Sequence, residues 1–240
     1  MFYLAGLGLW DEKDVPIKTI DACKNADKVY CELYTAAWGG DLEKLEKIIG
    51  KKIEIVERER VEEKAEEIVE EAITKKIMLL VPGDPLVATT HVHLIMECKR
   101  KNVPFKIIHA SSIYTAVAKT GLQLYKFGRT TSIPTANEKY TTSSFFDVII
   151  KNMKMGLHTL VLLDRNMGTK EGLEIIKKVE KRKRIVKNVV LCSLLGSENE
   201  TIVYGEIDDL LEKNLPPPAV IIIPGKLHFL EKEFLETLQK

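Results

Sequence analysis

Residues 81–91 read VPGDPLVATTH. Gly83, Asp84 and Pro85 put a permissive residue, a carboxylate and a rigid residue side by side. Glycine lets backbone approach a ligand closely, and proline stiffens the turn. The triplet stands between an unbroken apolar run, IMLLV, and a stretch with helical spacing. A strand-to-helix junction is where α/β sheets place their ligands. Asp84 can therefore sit beside a cationic group of a ligand. It can also cap a helix that starts near Val87, and the two roles are compatible. A second candidate is Gly6-Leu7-Gly8, after the first apolar run. Gly-x-Gly there suggests a dinucleotide-binding turn, with Glu32 as the ribose-binding acid at the end of the second strand. The third glycine of that fingerprint is missing, because Asp11 occupies its place. Three readings stay open for this turn: a nicotinamide or flavin site, a tight turn without a ligand, and a site for a different nucleotide-like ligand.

Ser111 and Ser112 precede a helical stretch rich in small residues. They either cap it or offer its free N–H groups to a polar ligand. His228 follows an apolar strand and a Pro-Gly turn, and taken alone it reads as a structural residue. His91 and His93 are two apart on a helical stretch, so they face different ways and make a poor metal pair. No metal is expected. No residue stands out as an obligatory general base.

These residues need elements to hold them. Apolar runs of strand length alternate with helical patterns through the first half: FYLAGLGL, KVYCELY, KIEIVE, IMLLV and VPFKIIHA read as strands. Between them, IKTIDACKNAD is a helix with Ile17, Ile20 and Cys23 or Lys24 on one face. DLEKLEKIIG is a helix with Asp41 at its N-cap and Gly50 past its end. VEEKAEEIVEEAIT and LVATTHVHLIMECKRKN complete the set. The alternation predicts a mostly parallel sheet covered by helices. After Ala110 the texture changes. SSIYTAVAKTG reads as a helix, and Leu122 to Thr142 as irregular. SFFDVIIKNMKMG, GTKEGLEIIKKVEKRKR, DDLLEKNL and LEKEFLETLQK read as helices, and HTLVLLD, KNVVLCSLLGS, TIVYGEI and PPPAVIIIPG as strands. Two α/β domains are expected, 1–110 and 111–240.

The 240 residues are 45% hydrophobic and 30% charged, as in ordinary soluble globular proteins. A formal net charge of +1 gives no strong global field for nucleic acid or membrane. No apolar run reaches the ~20 residues needed to span a bilayer, and the N-terminus lacks the basic region of a signal peptide. Cys23, Cys31, Cys98 and Cys192 form no C-x-x-C pair. They read as buried reduced thiols, which suits the cytosol. The basic run KKVEKRKRIVK and the acidic run ERERVEEKAEEIVEE read first as solvated helix faces. Tyr125, Lys126 and Phe127 are better placed to meet a protein partner, or else serve packing.

Taken in order, AGLGLWDEKD, VPGDPLVATTH, HASSIYTAVAKTGLQLYKFG, GLHTLVLLD and IIIPGKLH closely resemble the diphthine synthase family. That family belongs to the tetrapyrrole-methylase-like class of S-adenosylmethionine methyltransferases. The resemblance covers essentially the whole chain, and LYKFG and PGKLH set it apart from the porphyrin and corrin methylases. It implies two α/β domains of the tetrapyrrole methylase type, with the cofactor cleft between them, and a homodimer. It implies S-adenosylmethionine as cofactor and translation elongation factor 2 as protein substrate. The reaction implied is trimethylation of the amino group of a modified histidine to give diphthine, in diphthamide biosynthesis. The motifs carry the family's cofactor contacts onto Leu9, Asp84, Val87, Ser112, Ile113, Leu163, Leu195 and His228. The chain departs from the family at Ala36, where a hydroxyl is usual, and after Asp164, where an insertion is short. A porphyrin or corrin methyltransferase and a non-catalytic cofactor-binding homologue are the competing readings.

Overall fold

In the apolar runs of the first half, alternate residues face opposite ways, and this lays out the first sheet. The computed structural model describes residues 1–134, 143–180 and 185–239. Its first unit is Met1–Ala116. Here strands β1 (Phe2–Gly6), β2 (Lys28–Cys31), β3 (Ile53–Ile55), β4 (Ile77–Val81) and β5 (Phe105–Ile108) pair in the order β3-β2-β4-β1-β5. Every pairing is parallel. The connecting helices are α1 (Ile17–Lys24), α2 (Leu42–Ile49), α3 (Ala65–Thr74) and α4 (Val92–Arg100), and a single turn, α5 (Ile113–Ala116), closes the unit.

Phe2 and Leu4 of β1 bury with Ile77, Leu79 and Val81 of β4 on the face covered by α3 and α4. Ala5, Met78 and Leu80 bury on the opposite face, with Cys23 of α1 and Leu45 and Ile49 of α2. Strand β1 therefore feeds a helix on one face while β4, its neighbour, feeds a helix on the other. Adjacent parallel strands whose exits part in this way leave a crevice at their carboxyl ends.

Helix α2 follows its sequence signals closely. Asp41 Oδ1 accepts hydrogen bonds from the Glu43 and Lys44 N–H groups at 2.8 and 3.3 Å, and Gly50 takes a left-handed φ of 67°. Two other helices differ from expectation. In α1 the buried pair is Thr19 and Cys23, and Ile17 is 76% exposed. The Thr19 hydroxyl reaches the Gly6 carbonyl at 3.4 Å, which turns that side of the helix to the sheet. Helix α4 begins at Val92 rather than Leu86. Residues 86–91 are turns instead, with Ala88 at a φ of +55°.

The second unit, Val117–Lys240, carries β6 (Thr131–Ile133), α6 (Ser144–Lys154), β7 (Thr159–Leu163), α7 (Thr169–Glu180), β8 (Asn188–Ser193), β9 (Thr201–Glu206), α8 (Ile207–Leu210), β10 (Ala219–Ile223) and α9 (Phe229–Thr237). The strand order is β6-β7-β10-β8-β9. Only β6–β7 is parallel; β10 runs antiparallel to both neighbours, and β8 and β9 form a hairpin. Helices α6, α7 and α8 cover one face through Phe145, Ile149, Leu173, Ile176, Ile207 and Leu210. Strand β6 lies inside the stretch expected to be irregular, whose residues 135–142 fall outside the described residues. The stretch expected to be a helix after Ser112 is the single turn α5 followed by a 3-10 turn, Val117–Thr120.

All four cysteines are buried and free. Burial raises the Cys23 and Cys192 thiols to about 12, which suits inert core residues. Among the described residues, no helix is long and apolar enough to cross a membrane.

Candidate active site

Three loops leave the carboxyl ends of β1, β4 and β5, and the backbone ties them together. Gly8 and Gly83 exchange hydrogen bonds, at 3.3 Å from the Gly8 N–H and 2.9 Å from the Gly83 N–H. Gly6 has to be glycine, because a Cβ there would lie 2.3 Å from the Gly83 carbonyl oxygen and 2.6 Å from the Ala110 Cβ. Gly83 is glycine for another reason. Its φ is +67°, and an added Cβ would meet only the Ser112 Cβ, at 3.8 Å. Its backbone thus faces open space between the motif loops.

Asp84 fastens this edge. The residue is 5% exposed. Its Oδ1 accepts from the Leu86 N–H at 3.0 Å, and its Oδ2 accepts from His109 Nδ1 at 2.8 Å and from the Ala110 N–H at 3.2 Å. Asp84 is therefore no helix cap; it clamps the Gly-Asp-Pro loop to the exit of β5. Behind it, the Pro85 carbonyl accepts from the Thr89 hydroxyl at 2.7 Å and lies 3.3 Å from His91 Nδ1. Burial holds the His91 imidazole below the ordinary histidine range, so it serves here as a neutral donor. Its other nitrogen lies 3.4 Å from the Tyr34 hydroxyl.

Glu32 does not fit the role of a ribose-binding acid. It is fully buried, and its carboxylate accepts from the Tyr34 and Thr35 N–H groups, at 3.0 and 3.1 Å, and from the Thr35 hydroxyl. That leaves the Gly-x-Gly turn without a nicotinamide or flavin partner. Leu9, Asp84, Val87, Ser112 and Ile113 all lie on the loops of this one edge. Among the described residues, the Leu9 and Ile113 N–H groups have no acceptor, so they can donate to a ligand.

In the second unit, Leu163 ends β7, and Leu195 follows β8 in a turn where Leu194 and Gly196 have φ of +54° and +93°. The antiparallel pairing of β10 with both strands brings these two ends to the same edge of the sheet. His228 is not at that edge, since Pro224 to His228 leave β10 at its far end. His228 caps α9: its Nδ1 accepts from the Leu230 N–H at 3.4 Å, and its own N–H donates to Glu231 at 2.7 Å.

Glu231 is a residue the motifs did not single out. Its buried carboxylate accepts from the Gln123 N–H at 2.9 Å, from His158 Nε2 at 3.1 Å, from the His228 N–H and from the Lys126 ammonium. It so joins the segments around LYKFG, GLHTL and PGKLH. His158 Nδ1 accepts from the Gly225 N–H at 2.8 Å, which puts the ring proton on Nε2 and leaves the imidazole neutral. Burial opposes ionisation of Glu231, but Lys126 and the two N–H donors outweigh it and hold the carboxyl at about 2. The signal for this residue was His228-x-x-Glu231, the spacing of a capping box. Lys126 is thus committed to Glu231, and Phe127 packs its ring 5.3 Å from His158. Of the three residues considered for a partner, Tyr125 remains, 81% exposed. Of the basic run KKVEKRKRIVK, residues 181–184 lie outside the described residues, and Lys177 pairs with Asp208. The acidic run, expected to be a solvated helix face, also buries Val61, Ala65, Ile68 and Val69, and its residues Glu59–Glu63 form a π-helical turn before α3.

Interlocked glycine turns at the switch point of a parallel sheet, followed along the chain by a mixed second sheet, define a class of enzyme. The model of the Tetrapyrrole (Corrin/Porphyrin) Methylases matches residues 1–211. A diphthine synthase of Methanococcus aeolicus is 47% identical over 251 residues, covering 99% of this chain and 98% of that protein. One of Methanocaldococcus jannaschii is 46% identical over 253 residues, with the same coverage, 99% and 98%. A crystal structure of diphthine synthase superposes with a TM-score of 0.93 at 33% identity, covering 100% of this chain and 96% of that one. The chain therefore belongs to the tetrapyrrole methylase family and, within it, to the diphthine synthases; it is a methyltransferase.

Proposed function

We propose that this methyltransferase takes methyl groups from S-adenosylmethionine and places three of them on the amino group of the modified histidine, 2-(3-amino-3-carboxypropyl)-histidine, of translation elongation factor 2. The product is diphthine, an intermediate of diphthamide biosynthesis. The observation that carries the reading is the interlocked pair of turns at Gly8 and Gly83, with Asp84 beneath them, at the carboxyl edge of the parallel sheet.

The residues of this edge fit the cofactor. Leu9 and Ile113 offer backbone donors, Gly83 allows close approach, and the buried Asp84 carboxylate sets a negative charge behind the loop, which favours a cationic ligand group. Leu9, Asp84, Val87, Ser112, Ile113, Leu163 and Leu195 are the proposed contacts; His228 is retained from the motif alone, since it caps α9 at the other end of β10 from Leu163 and Leu195. When bound, the cofactor supplies an electrophilic methyl group on a sulfonium. The chain has to align the acceptor nitrogen with it and keep competing water away. The acceptor amine must lose a proton before each transfer. That step can occur in solvent before docking, so no side chain of the chain is assigned to it.

The enzyme is proposed to act as a cytoplasmic homodimer, with elongation factor 2 as its partner and no direct contact to nucleic acid or membrane. Incubating purified elongation factor 2 carrying the unmethylated side chain with the enzyme and methyl-labelled S-adenosylmethionine tests the reading. Label on the modified histidine peptide supports it, and label on a porphyrinogen or corrin alone opposes it.

A further inference from the structure

The described residues outside glycine with a left-handed φ are Ala88, Asn102 and Leu194. Asparagine tolerates that conformation, whereas a bulky residue such as leucine pays for it with steric strain. Ala88 and Leu194 directly follow and precede proposed cofactor contacts, Val87 and Leu195. Strained backbone persists where the surroundings over-determine it, and such places cluster at ligand sites. Leu194 is the costlier of the two, so something must hold it.

Several bonds do. The Leu194 N–H donates to the Pro218 carbonyl at 2.9 Å, and the Ser197 N–H closes the turn onto the Leu194 carbonyl at 3.0 Å. The Gly196 N–H, at the apex, donates to Glu200 Oε2 at 2.9 Å. Glu200 Oε1 pairs with the Lys119 ammonium, which fixes the carboxylate from behind. Both interactions favour the ionised carboxyl: the Lys119 ammonium first and the Gly196 N–H second hold it below the usual carboxylate range.

We infer that Glu200 is a positioning residue of the proposed methyl-transfer site: it pulls on the Gly196 N–H and so keeps the strained Leu194–Gly196 turn in the shape that presents Leu195. Lys119 serves it by fixing its orientation. This rests on the reading of Leu195 as a cofactor contact. Glu200 touches no reacting atom. Removing it lets Leu194 relax toward an ordinary φ and swings Leu195 out of register with Leu163, at the same sheet edge.

The test measures affinity for S-adenosylhomocysteine by calorimetry, and melting temperature, on the wild type and four variants. Glu200→Ala is expected to weaken binding about tenfold, as the loss of one charge-assisted bond to the backbone implies. Glu200→Gln keeps an acceptor but loses the pair with Lys119, so it should fall between the two; it also serves if the alanine variant does not fold. Leu194→Gly in the Glu200→Ala background removes the strain, because glycine adopts that φ freely, and should restore affinity to within about threefold of wild type. Glu180→Gln is the control. It weakens a buried bond to the Val186 N–H at 2.7 Å elsewhere in the same unit, and should lower the melting temperature without changing affinity. Unchanged affinity in both Glu200 variants would overturn the inference while leaving the methyltransferase reading intact. So would a loss that Leu194→Gly does not repair. A wild-type chain that bound no S-adenosylhomocysteine would overturn the reading and the inference together.

Discussion

Asp84 is scaffold in the structure, and in the proposed reading it is a ligand group as well. Its three accepted bonds span two loops, and no helix end depends on it. Asp84→Ala should therefore lower stability by about 1–3 kcal/mol as well as weaken cofactor binding, because two N–H groups and His109 lose their acceptor. Urea unfolding and calorimetry on the same variant check both effects. Gly6→Ala is a stricter test of the interlocked turns. Its new Cβ would press on the Gly83 carbonyl, which is backbone and cannot swing away. Cofactor binding should be lost even if the variant still folds, and binding at wild-type affinity would contradict the geometry. The sequence made Gly83 and Asp84 legible as turn residues because glycine and proline at a strand exit carry local physical meaning. It did not reveal that His109 and Ala110 complete the clamp. That contact joins residues 25 and 26 apart, and no local pattern encodes it.

At the scale of elements, the caps of α2 are the simplest to weigh. Asp41→Ala removes a side-chain cap and should cost about 1 kcal/mol. Gly50→Ala should cost about as much, through φ alone, because the added Cβ would meet nothing within 4 Å. Neither change should alter methyl transfer, and both are read by urea unfolding. The Glu231 junction has a pH signature. Its folded carboxyl titrates at about 2, below the ordinary 4.5, so its contribution is full above 4.5 and is lost as pH falls from there toward 2. Burial depresses His158 below its ordinary 6.5, which makes a separate loss that begins as pH falls below that value. Glu231→Gln should therefore be less stable than wild type at neutral pH, with the gap closing between pH 4.5 and about 2. A gap that stayed constant across that range would contradict the assignment. Strands β1 and β4 and helix α2 were legible because apolarity, alternation and caps agree there. Strand β6 was not, since three residues pairing with one neighbour leave no periodicity to read. The early part of α4 misled for the opposite reason: Leu86 to His91 has helical spacing, but the turn at Ala88 and the bonds to the Pro85 carbonyl hold it as loops.

Over the whole molecule, the alternation of strand and helix that organises the first unit fails in the second. From β8 onward three strands follow with only the one-turn α8 between them, and the sheet becomes mainly antiparallel. The sequence displayed those strands as apolar runs, but not their directions, because SLLGSENE is a hairpin connection only once β8 and β9 are known to pair. The family match and the edge geometry together lead to one chemical outcome. A nitrogen that has accepted three methyl groups has no lone pair left, so transfer to it must stop there. A fourth methyl would need the nearby carboxylate to take the place of the amine. The most direct measurement is the mass of the modified histidine peptide of elongation factor 2 after long incubation with the enzyme and excess S-adenosylmethionine. The account predicts three added methyl groups on that peptide, stable to mild alkali. A fourth methyl group removed by mild alkali, or none at all under conditions where the enzyme binds its cofactor, would contradict it.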